Sequence, residues 1–289
     1  MSIPLVLGYL GPPGTFSEQA AREFQSSYAI DALKALPSIP HVLLEVDKQE
    51  IGLGLVPVEN SIEGTVNVTL DMLANEVNLF IQGELVLDIR HCLLTLEGDK
   101  KKIRFIYSHP QALAQCRRFL LDNFPNASCI PTESTAQAAL LVKQSAGGLA
   151  ALGSLVAAQE YGLAVRNSDA SDFPGNKTRF LIVGKKSFSY KKPEKSSLCL
   201  AVNENIPGVL HQILGEFAKE QIDLTKIESR PTKKELGNYL FFLDCRADLL
   251  GEDKNVLERL KKICRFVKVL GCYGTGLLKE EAELGYREK

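Results

Sequence analysis

Leu5-Val6-Leu7-Gly8-Tyr9-Leu10-Gly11-Pro12-Pro13-Gly14-Thr15-Phe16-Ser17-Glu18 is the stretch on which the fold class turns. Its apolar opening reads as a strand, and Pro13-Gly14 suits a tight turn. Thr15 and Glu18 then have the spacing of a capping box at a helix start. The same alternation continues outward. Leu53–Val58, Leu79–Leu87, Ile103–Tyr107, Leu149–Gly153 and Arg179–Val183 read as further strands. Phe16–Phe24, Val66–Leu73, Ala112–Leu120 and Ala136–Val142 carry apolar residues at helical spacing. This βα order predicts an α/β fold with a mainly parallel sheet covered by helices. Ligands then belong at the carboxyl ends of strands, where the helices begin.

Lys185–Ser197 is polar and basic with one proline, and reads as a linker. Beyond it the pattern changes to strand Leu198–Val202, helix Val209–Phe217, strands Ile222–Ser229 and Asn238–Cys245, helix Val256–Ile263 and strand Phe266–Leu270. That βαββαβ order is the ferredoxin-like arrangement.

Composition narrows the function. The 289 residues suit about two domains at ~150 residues each. With 45% hydrophobic and 24% charged residues the chain is neither disordered nor fibrous. Thirty-four Lys and Arg against 35 Asp and Glu leave a net charge of −1, with no basic footprint for nucleic acid or an anionic membrane. Any anion must be held by local geometry. The seven cysteines are widely spaced without a C-x-x-C, which fits reduced thiols and predicts a cytoplasmic location. The four histidines include no H-x-x-x-H, so no metal site is expected. His91 beside Cys92 raises a thiol nucleophile, but neighbours on a strand face opposite ways, and a buried structural thiol is the expectation. The apolar run Ile3–Leu10 lacks a basic leader and reads as a first strand, not a signal peptide. Nothing approaches the ~20 apolar residues of a membrane span.

Chemistry gathers at the junctions. Gly11–Glu18 lacks the lysine of a P-loop and the glycine spacing of a dinucleotide site. It is either a well-capped helix or an anion cradle of free amides and hydroxyls. Val56-Pro57-Val58-Glu59-Asn60-Ser61-Ile62-Glu63-Gly64-Thr65 holds more polar groups than one cap needs. In Tyr107-Ser108-His109-Pro110-Gln111-Ala112-Leu113-Ala114-Gln115-Cys116, Ser108 and Gln111 match a capping box, and Gln115 shares a helix face with Gln111. His109 is open to a capping or a general-base role. Thr132-Glu133-Ser134-Thr135 makes a fourth start, and Asn176-Lys177-Thr178-Arg179-Phe180 opens a strand. Together these suggest a cleft for a small carboxylated molecule.

Four of these motifs in order, GPPGTFS, VPVENSIEGTVNVTLDML, SHPQALAQC and NKTRF, resemble the prephenate dehydratase family. Residues 198–272, with Ile206-Pro207-Gly208-Val209-Leu210 and Glu228-Ser229-Arg230-Pro231, resemble the phenylalanine-sensing ACT module attached to it. The resemblance implies a two-lobed, periplasmic-binding-protein-like catalytic domain over residues 1–190, with lobe 1 at about 1–82 plus 174–188 and lobe 2 at about 83–173. A linker at 191–197, a ferredoxin-like ACT domain at 198–278 and a tail at 279–289 follow. With no chorismate mutase segment before the first strand, a monofunctional enzyme is expected. The implied activity is that of a carbon–oxygen lyase, turning prephenate into phenylpyruvate, water and carbon dioxide in phenylalanine biosynthesis. The implied partners are prephenate, L-phenylalanine as effector, and a second copy of the chain in a dimer or tetramer.

Residue by residue, the threonine of T-R-F, tied to catalysis in the family, falls on Thr178. The Asn of E-N-S and the Ser and second Gln of S-H-P-Q-x-x-x-Q fall on Asn60, Ser108 and Gln115. Substrate contacts are expected from Thr15, Phe16, Ser17, Glu59, Ser61, Gly64, Thr65, His109, Gln111, Thr135, Arg179 and Phe180, although Arg179, as a strand neighbour of Thr178, is open to facing away. Effector contacts are expected from Asn205, Pro207, Gly208, Val209, Leu210, Glu228, Ser229, Arg230 and Pro231. No cofactor is expected, because aromatisation of the ring drives the reaction and no electron sink is required. Thr178 is expected to give a proton or strong hydrogen bond to the departing hydroxyl, in a relay with Ser108, Gln115 or Asn60. An arogenate dehydratase and a non-catalytic amino-acid sensor are the alternatives.

Overall fold

The computed structural model describes residues 4–96, 98, 102–186, 193–202, 206–231 and 239–274. Asn205, residues 187–192 of the expected linker and the expected tail lie outside the described residues. The chain runs β1 (Val6–Leu10), α1 (Phe16–Ser27), β2 (Ala32–Leu36), α2 (Ile39–Asp47), β3 (Leu53–Asn60), β4 (Gly64–Thr65), α3 (Asn67–Asn75) and β5 (Phe80–Asp88). A second set follows: β6 (Cys92–Thr95), β7 (Phe105–Ser108), α4 (Pro110–Gln115), α5 (Arg117–Asn123), β8 (Ser128–Pro131), α6 (Thr135–Lys143), β9 (Leu149–Gly153), α7 (Leu155–Tyr161) and β10 (Ala164–Asn167). The chain then returns as β11 (Lys177–Gly184) and ends in β12 (Lys195–Val202), α8 (Val209–Lys219), β13 (Leu224–Pro231), β14 (Tyr239–Cys245), α9 (Lys254–Ile263) and β15 (Cys264–Tyr273).

Two sheets build the α/β part. The first has the order β2-β1-β3-β11-β5, with β4 on β3; the second has the order β10-β6-β9-β7-β8. Each mixes directions. β1 is parallel to β2 and β3, whereas β11 is antiparallel to both β3 and β5. The expectation of a mainly parallel sheet is corrected here, because β11 enters from the opposite end after the chain has visited the second lobe. The lobe boundary moves as well. β5 stays paired with β11 as far as Asp88, so the first lobe extends beyond residue 82.

The expected helix Ala112–Leu120 is two helices. Cys116 leaves helical geometry at φ −114° and ψ 13°. The Asp172 carboxylate, on the segment returning toward lobe 1, accepts the N–H of Arg118 at 2.7 Å and of Phe119 at 2.9 Å. A side chain far away in sequence thus caps α5 and re-aims it.

The last sheet, β13-β14-β12-β15, carries α8 and α9 in the expected βαββαβ order. Its first strand starts at Lys195 rather than Leu198, and all of its residues are buried. The polar residues that suggested linker are paired inside. Lys195 Nζ donates to Glu84 at 3.0 Å, Ser196 Oγ to Ala247 O at 2.6 Å and Ser197 Oγ to Asp244 at 2.5 Å.

One apolar cluster joins this sheet to lobe 1, with Leu73, Val77 and Ile81 packed among residues that include Cys199, Phe242 and Leu270. Gly271 permits the approach, since a Cβ there would lie 2.2 Å from the Ile81 carbonyl oxygen. Among the described residues, no helix is long and apolar enough to cross a membrane.

Candidate active site

The lobes close on a cleft of about 330 Å³. Helix starts face it, for local reasons readable in the chain. Thr15 caps α1, its Oγ1 accepting from Glu18 N at 3.3 Å, while Glu18 reaches back to Gly14 N at 2.5 Å. Ser134 caps α6 by accepting from Gln137 N at 3.0 Å. At α4 the cap is His109, whose Nδ1 lies 3.4 Å from Gln111 N, with Pro110 in the first turn. The expected Ser108 cap is not formed.

Contacts between the lobes hold the cleft's width. Ser154 Oγ donates to Gly14 O at 2.8 Å, and Tyr161 Oη donates to Pro13 O at 2.8 Å. Gly14 has φ +88°, and a Cβ on it would meet Tyr161 at 2.9 Å, so only glycine fits this turn.

On the cleft floor β3 and β11 place Asn60 opposite Thr178 and Glu59 opposite Arg179. Alternation along the strands sends the first pair into the cleft and the second pair to the other face. The Asn60 orientation is set by backbone, since its Oδ1 accepts from Ile62 N and Glu63 N, both at 3.0 Å. Its Nδ2 therefore donates, at 2.9 Å to Thr178 Oγ1 and at 2.9 Å to Asn176 Oδ1. Asn176 Nδ2 donates in turn to Gln115 Oε1 at 2.9 Å, and His91 Nε2 lies 3.1 Å from the same oxygen. Every bond has one direction. Thr178 Oγ1 accepts from within the protein, which leaves its own proton for a molecule in the cleft.

Twelve of the expected residues line this cleft: Thr15, Phe16, Ser17, Asn60, Gly64, Thr65, His109, Gln111, Gln115, Thr135, Thr178 and Phe180. Four do not. Ser108 is fully buried and donates to Leu152 O at 2.8 Å, because the end of β7 turns it toward β9. Ser61 accepts from Lys177 N at 2.9 Å and braces the start of β11. Arg179 donates to Glu84 at 2.6 Å, Asp244 at 2.6 Å and the Tyr273 hydroxyl at 3.0 Å, beneath the C-terminal sheet. Glu59 lies 3.2 Å from Lys226 and 3.7 Å from Arg179 on that same side. Burial opposes the Arg179 charge, but the Asp244 and Glu84 carboxylates outweigh it and hold the guanidinium pKa well above its ordinary value. Burial also pushes the Tyr273 hydroxyl well up, so it stays protonated.

His91, Asn176, Glu63, Glu133 and Ser134 also line the cleft, although none was expected as a site residue. Asn176 had a signal, as the first residue of N-K-T-R-F. His91 had none beyond its neighbour Cys92, whose thiol burial pushes up and whose Sγ lies 3.3 Å from Ser168 O, as expected of a structural cysteine. Among the described residues, no lysine or arginine lines the cleft. Helix-start amides and hydroxyls supply the attraction for anions there.

His91 is 4% exposed, with its ring edge-on to Phe16 at 5.3 Å. Burial lowers its pKa below 6.5, against smaller opposing effects of Gln115 and Asp169. As pH falls through 6.5 the unfolded chain takes this proton first, so stability present above 6.5 is lost toward the lower folded pKa. Melting curves at pH 7.5 and 5.5 are expected to show a smaller acid loss in His91→Gln than in the parent; equal losses would count against a neutral buried His91.

The effector set is spread out. Gly208 starts α8 at φ +86°, Ile206 and Pro207 are exposed, and Val209 is buried. Along β13, Lys226, Glu228 and Arg230 alternate with the exposed Ile227, Ser229 and Pro231. The first three turn to lobe 1. Lys226 meets Glu59, Glu228 accepts from Thr65 Oγ1, and Arg230 lies 3.6 Å from Asp71.

Residues 7–188 match the family described as prephenate dehydratase, and residues 199–265 match the ACT domain. The chain is 41% identical over 272 residues to a prephenate dehydratase of Methanocaldococcus jannaschii, covering 92% of this chain and 96% of the relative. A prephenate dehydratase of Arthrobacter aurescens, solved in complex with L-Phe, superposes with a TM-score of 0.85 at 30% identity, over 97% of this chain and 93% of that one. The Staphylococcus aureus prephenate dehydratase gives a TM-score of 0.80 at 30% identity, over 93% and 100%. With its catalytic region followed by an ACT domain, the chain belongs to the prephenate dehydratase family of carbon–oxygen lyases.

Proposed function

We propose that the cleft converts prephenate to phenylpyruvate, water and carbon dioxide for phenylalanine biosynthesis, with Thr178 as the group that meets the departing hydroxyl. The observation that carries this reading is the one-way bond from Asn60 Nδ2 to Thr178 Oγ1, which leaves the threonine proton to be donated into the cleft. The ring C–O bond breaks as that hydroxyl takes a proton and leaves as water. The electrons of the bond to the ring carboxylate enter the ring, and the carboxylate departs as carbon dioxide. One proton is drawn from solvent per turnover, and Thr178 hands it on.

The cleft suits each end of the substrate. Phe16, Val66, Ile89 and Phe180 give an apolar wall, against which the ring carboxylate is poorly solvated and leaves readily. The pyruvyl carboxylate, which stays, finds amides and hydroxyls at the starts of α1 and α6, including Thr15, Ser17, Ser134 and Thr135. Exposed Glu63 and Glu133 also line the cleft, and an ammonium would suit them. Arogenate is therefore the substrate to compare.

The lobes act as a periplasmic-binding-protein-like pair that closes over the substrate, in a cytoplasmic dimer or tetramer. L-phenylalanine inhibits through the ACT domain, and β13 carries the signal. One face of β13 bears Ser229 of the effector set, and the other fastens Glu228 to Thr65 at the cleft. Feedback is then a shift between two settings of that strand.

Absorbance assays with prephenate and arogenate, with and without phenylalanine, test the reading. Prephenate is expected to be consumed and phenylalanine to inhibit; turnover of arogenate alone, or of neither, would overturn it. Glu228→Gln is expected to keep turnover and weaken inhibition by about 5-fold or more, on the scale of ordinary coupling energies. Unchanged inhibition would remove β13 from the path.

A further inference from the structure

We propose that His91 is a positioning residue for the dehydration: its Nε2–H holds the Gln115 side-chain amide in one of two orientations, leaving the amide nitrogen for an oxygen of the substrate. The inference rests on the prephenate reading above and deepens it, by assigning work to a residue outside all four motifs.

A glutamine amide keeps its shape when turned over, with oxygen and nitrogen exchanged, so something must choose between the two. At Asn60 the choice is made by the backbone N–H groups of Ile62 and Glu63, and it passes through Asn176 to Gln115. Asn176 is only one restraint, and it sits on the segment where the chain crosses back to lobe 1. His91 supplies the second from lobe 2, with Nε2 at 3.1 Å from Gln115 Oε1. That oxygen already accepts from Asn176 Nδ2, an amide donor. A histidine bonded there stabilises the orientation only as the Nε2–H form. Turning Gln115 over would set its NH₂ against Asn176 Nδ2 and force His91 into the Nδ1–H form, whose proton has no partner among the described protein atoms; each buried bond left unmade costs ~1–3 kcal/mol.

The histidine is itself well held. Its main-chain N–H donates to Ser171 Oγ at 3.3 Å, its main-chain carbonyl accepts from Ala170 N at 2.7 Å, and its ring meets Phe16 edge-on. Gln115 is 4% exposed and lines the cleft, and its Nε2 has no partner among the described protein atoms. The chain from backbone to His91 therefore ends in two prepared donors, Thr178 O–H from lobe 1 and Gln115 N–H from lobe 2. Both are aligned by one set of bonds that crosses between the lobes. Alignment of this kind raises the rate of the chemical step more than it tightens binding.

Turnover of prephenate by His91→Leu, His91→Gln, Gln115→Met and the double variant His91→Leu/Gln115→Met provides the test. In His91→Leu, kcat is expected to fall ~10–100-fold with KM within about 3-fold, a size typical of misplaced reacting groups. His91→Gln, which keeps a donor, is expected to recover most of that loss. The double variant is expected to match Gln115→Met, because His91 acts through Gln115. Should leucine prevent folding, His91→Met fills similar space without a donor and reads the same loss. Equal kcat in His91→Gln and His91→Leu would overturn the proposal, since both substitutions disturb packing. Additive losses in the double variant would also overturn it. Wild-type turnover of prephenate in the same assay tests the underlying reading separately: if it is absent, that reading fails, whatever the variants do.

Discussion

Thr178→Val is expected to lower kcat for prephenate by ~10²–10⁴-fold, the range for loss of a positioned proton donor, while KM stays within a few-fold. Valine has the shape of threonine and its preference for strands, so β11 keeps its place between β3 and β5. Asn60 Nδ2 loses one acceptor but keeps Asn176 Oδ1 at 2.9 Å and the Lys177 carbonyl at 3.2 Å. What disappears is the hydroxyl whose proton faces the cleft. Thr178→Ser restores a hydroxyl on the same carbon and is expected to recover part of the rate. Steady-state assays on both variants decide the matter. A valine enzyme with more than about a tenth of parental kcat would leave Thr178 without a role in the chemistry.

Arg179→Met is expected to act on stability instead, by about 3–5 kcal/mol, with turnover of the folded protein little changed. The neighbouring residue in the chain thus has the opposite signature. Arg179 and Lys195 balance Glu84 and Asp244 in a buried cluster, with Arg179 to Glu84 and to Asp244 both at 2.6 Å and Lys195 to Glu84 at 3.0 Å. Removing the guanidinium leaves two carboxylates and one ammonium out of water, which is the costly way to break a buried pair. Denaturant unfolding of the parent and variant measures the loss. Arg179→Met/Asp244→Asn is expected to recover part of it by removing the unpaired charge. A variant of normal stability with KM raised 10-fold or more would restore Arg179 to the substrate. The cluster joins β11 of lobe 1 to β14 and β15 of the ACT domain, so it also fixes where the regulatory sheet sits behind the catalytic strand.

These two residues show what one sequence can and cannot reveal. T-R-F marks Thr178 and Arg179 together, and only strand alternation separates them. Alternation raised the doubt about Arg179, but the identity of its partners required the fold, since Glu84 and Asp244 lie 95 and 65 residues away. Ser108 misled for a related reason. A serine before His-Pro-Gln has capping chemistry, yet the strand end turned it to Leu152 and left His109 to cap. Asp172 capping α5 and the buried polar start of β12 were likewise illegible, because each depends on a partner remote in sequence.

The sequence by itself determined many of the local pieces, though not β2, α2, β4, β6, β8, α7 or β10: the strands and helices with the clearest periodicity, the cap at Thr15, and the βαββαβ order of the last module. These follow from side-chain periodicity and short-range hydrogen bonding, which act within a few residues. It also determined the family, through four motifs in a fixed order. Tertiary structure alone decided the antiparallel entry of β11, the face on which each motif residue works, and the bonds from His91 through Gln115, Asn176 and Asn60 to Thr178. Bond direction in such a chain passes from partner to partner. It is undefined until side chains 24 to 118 residues apart come within about 3 Å of one another.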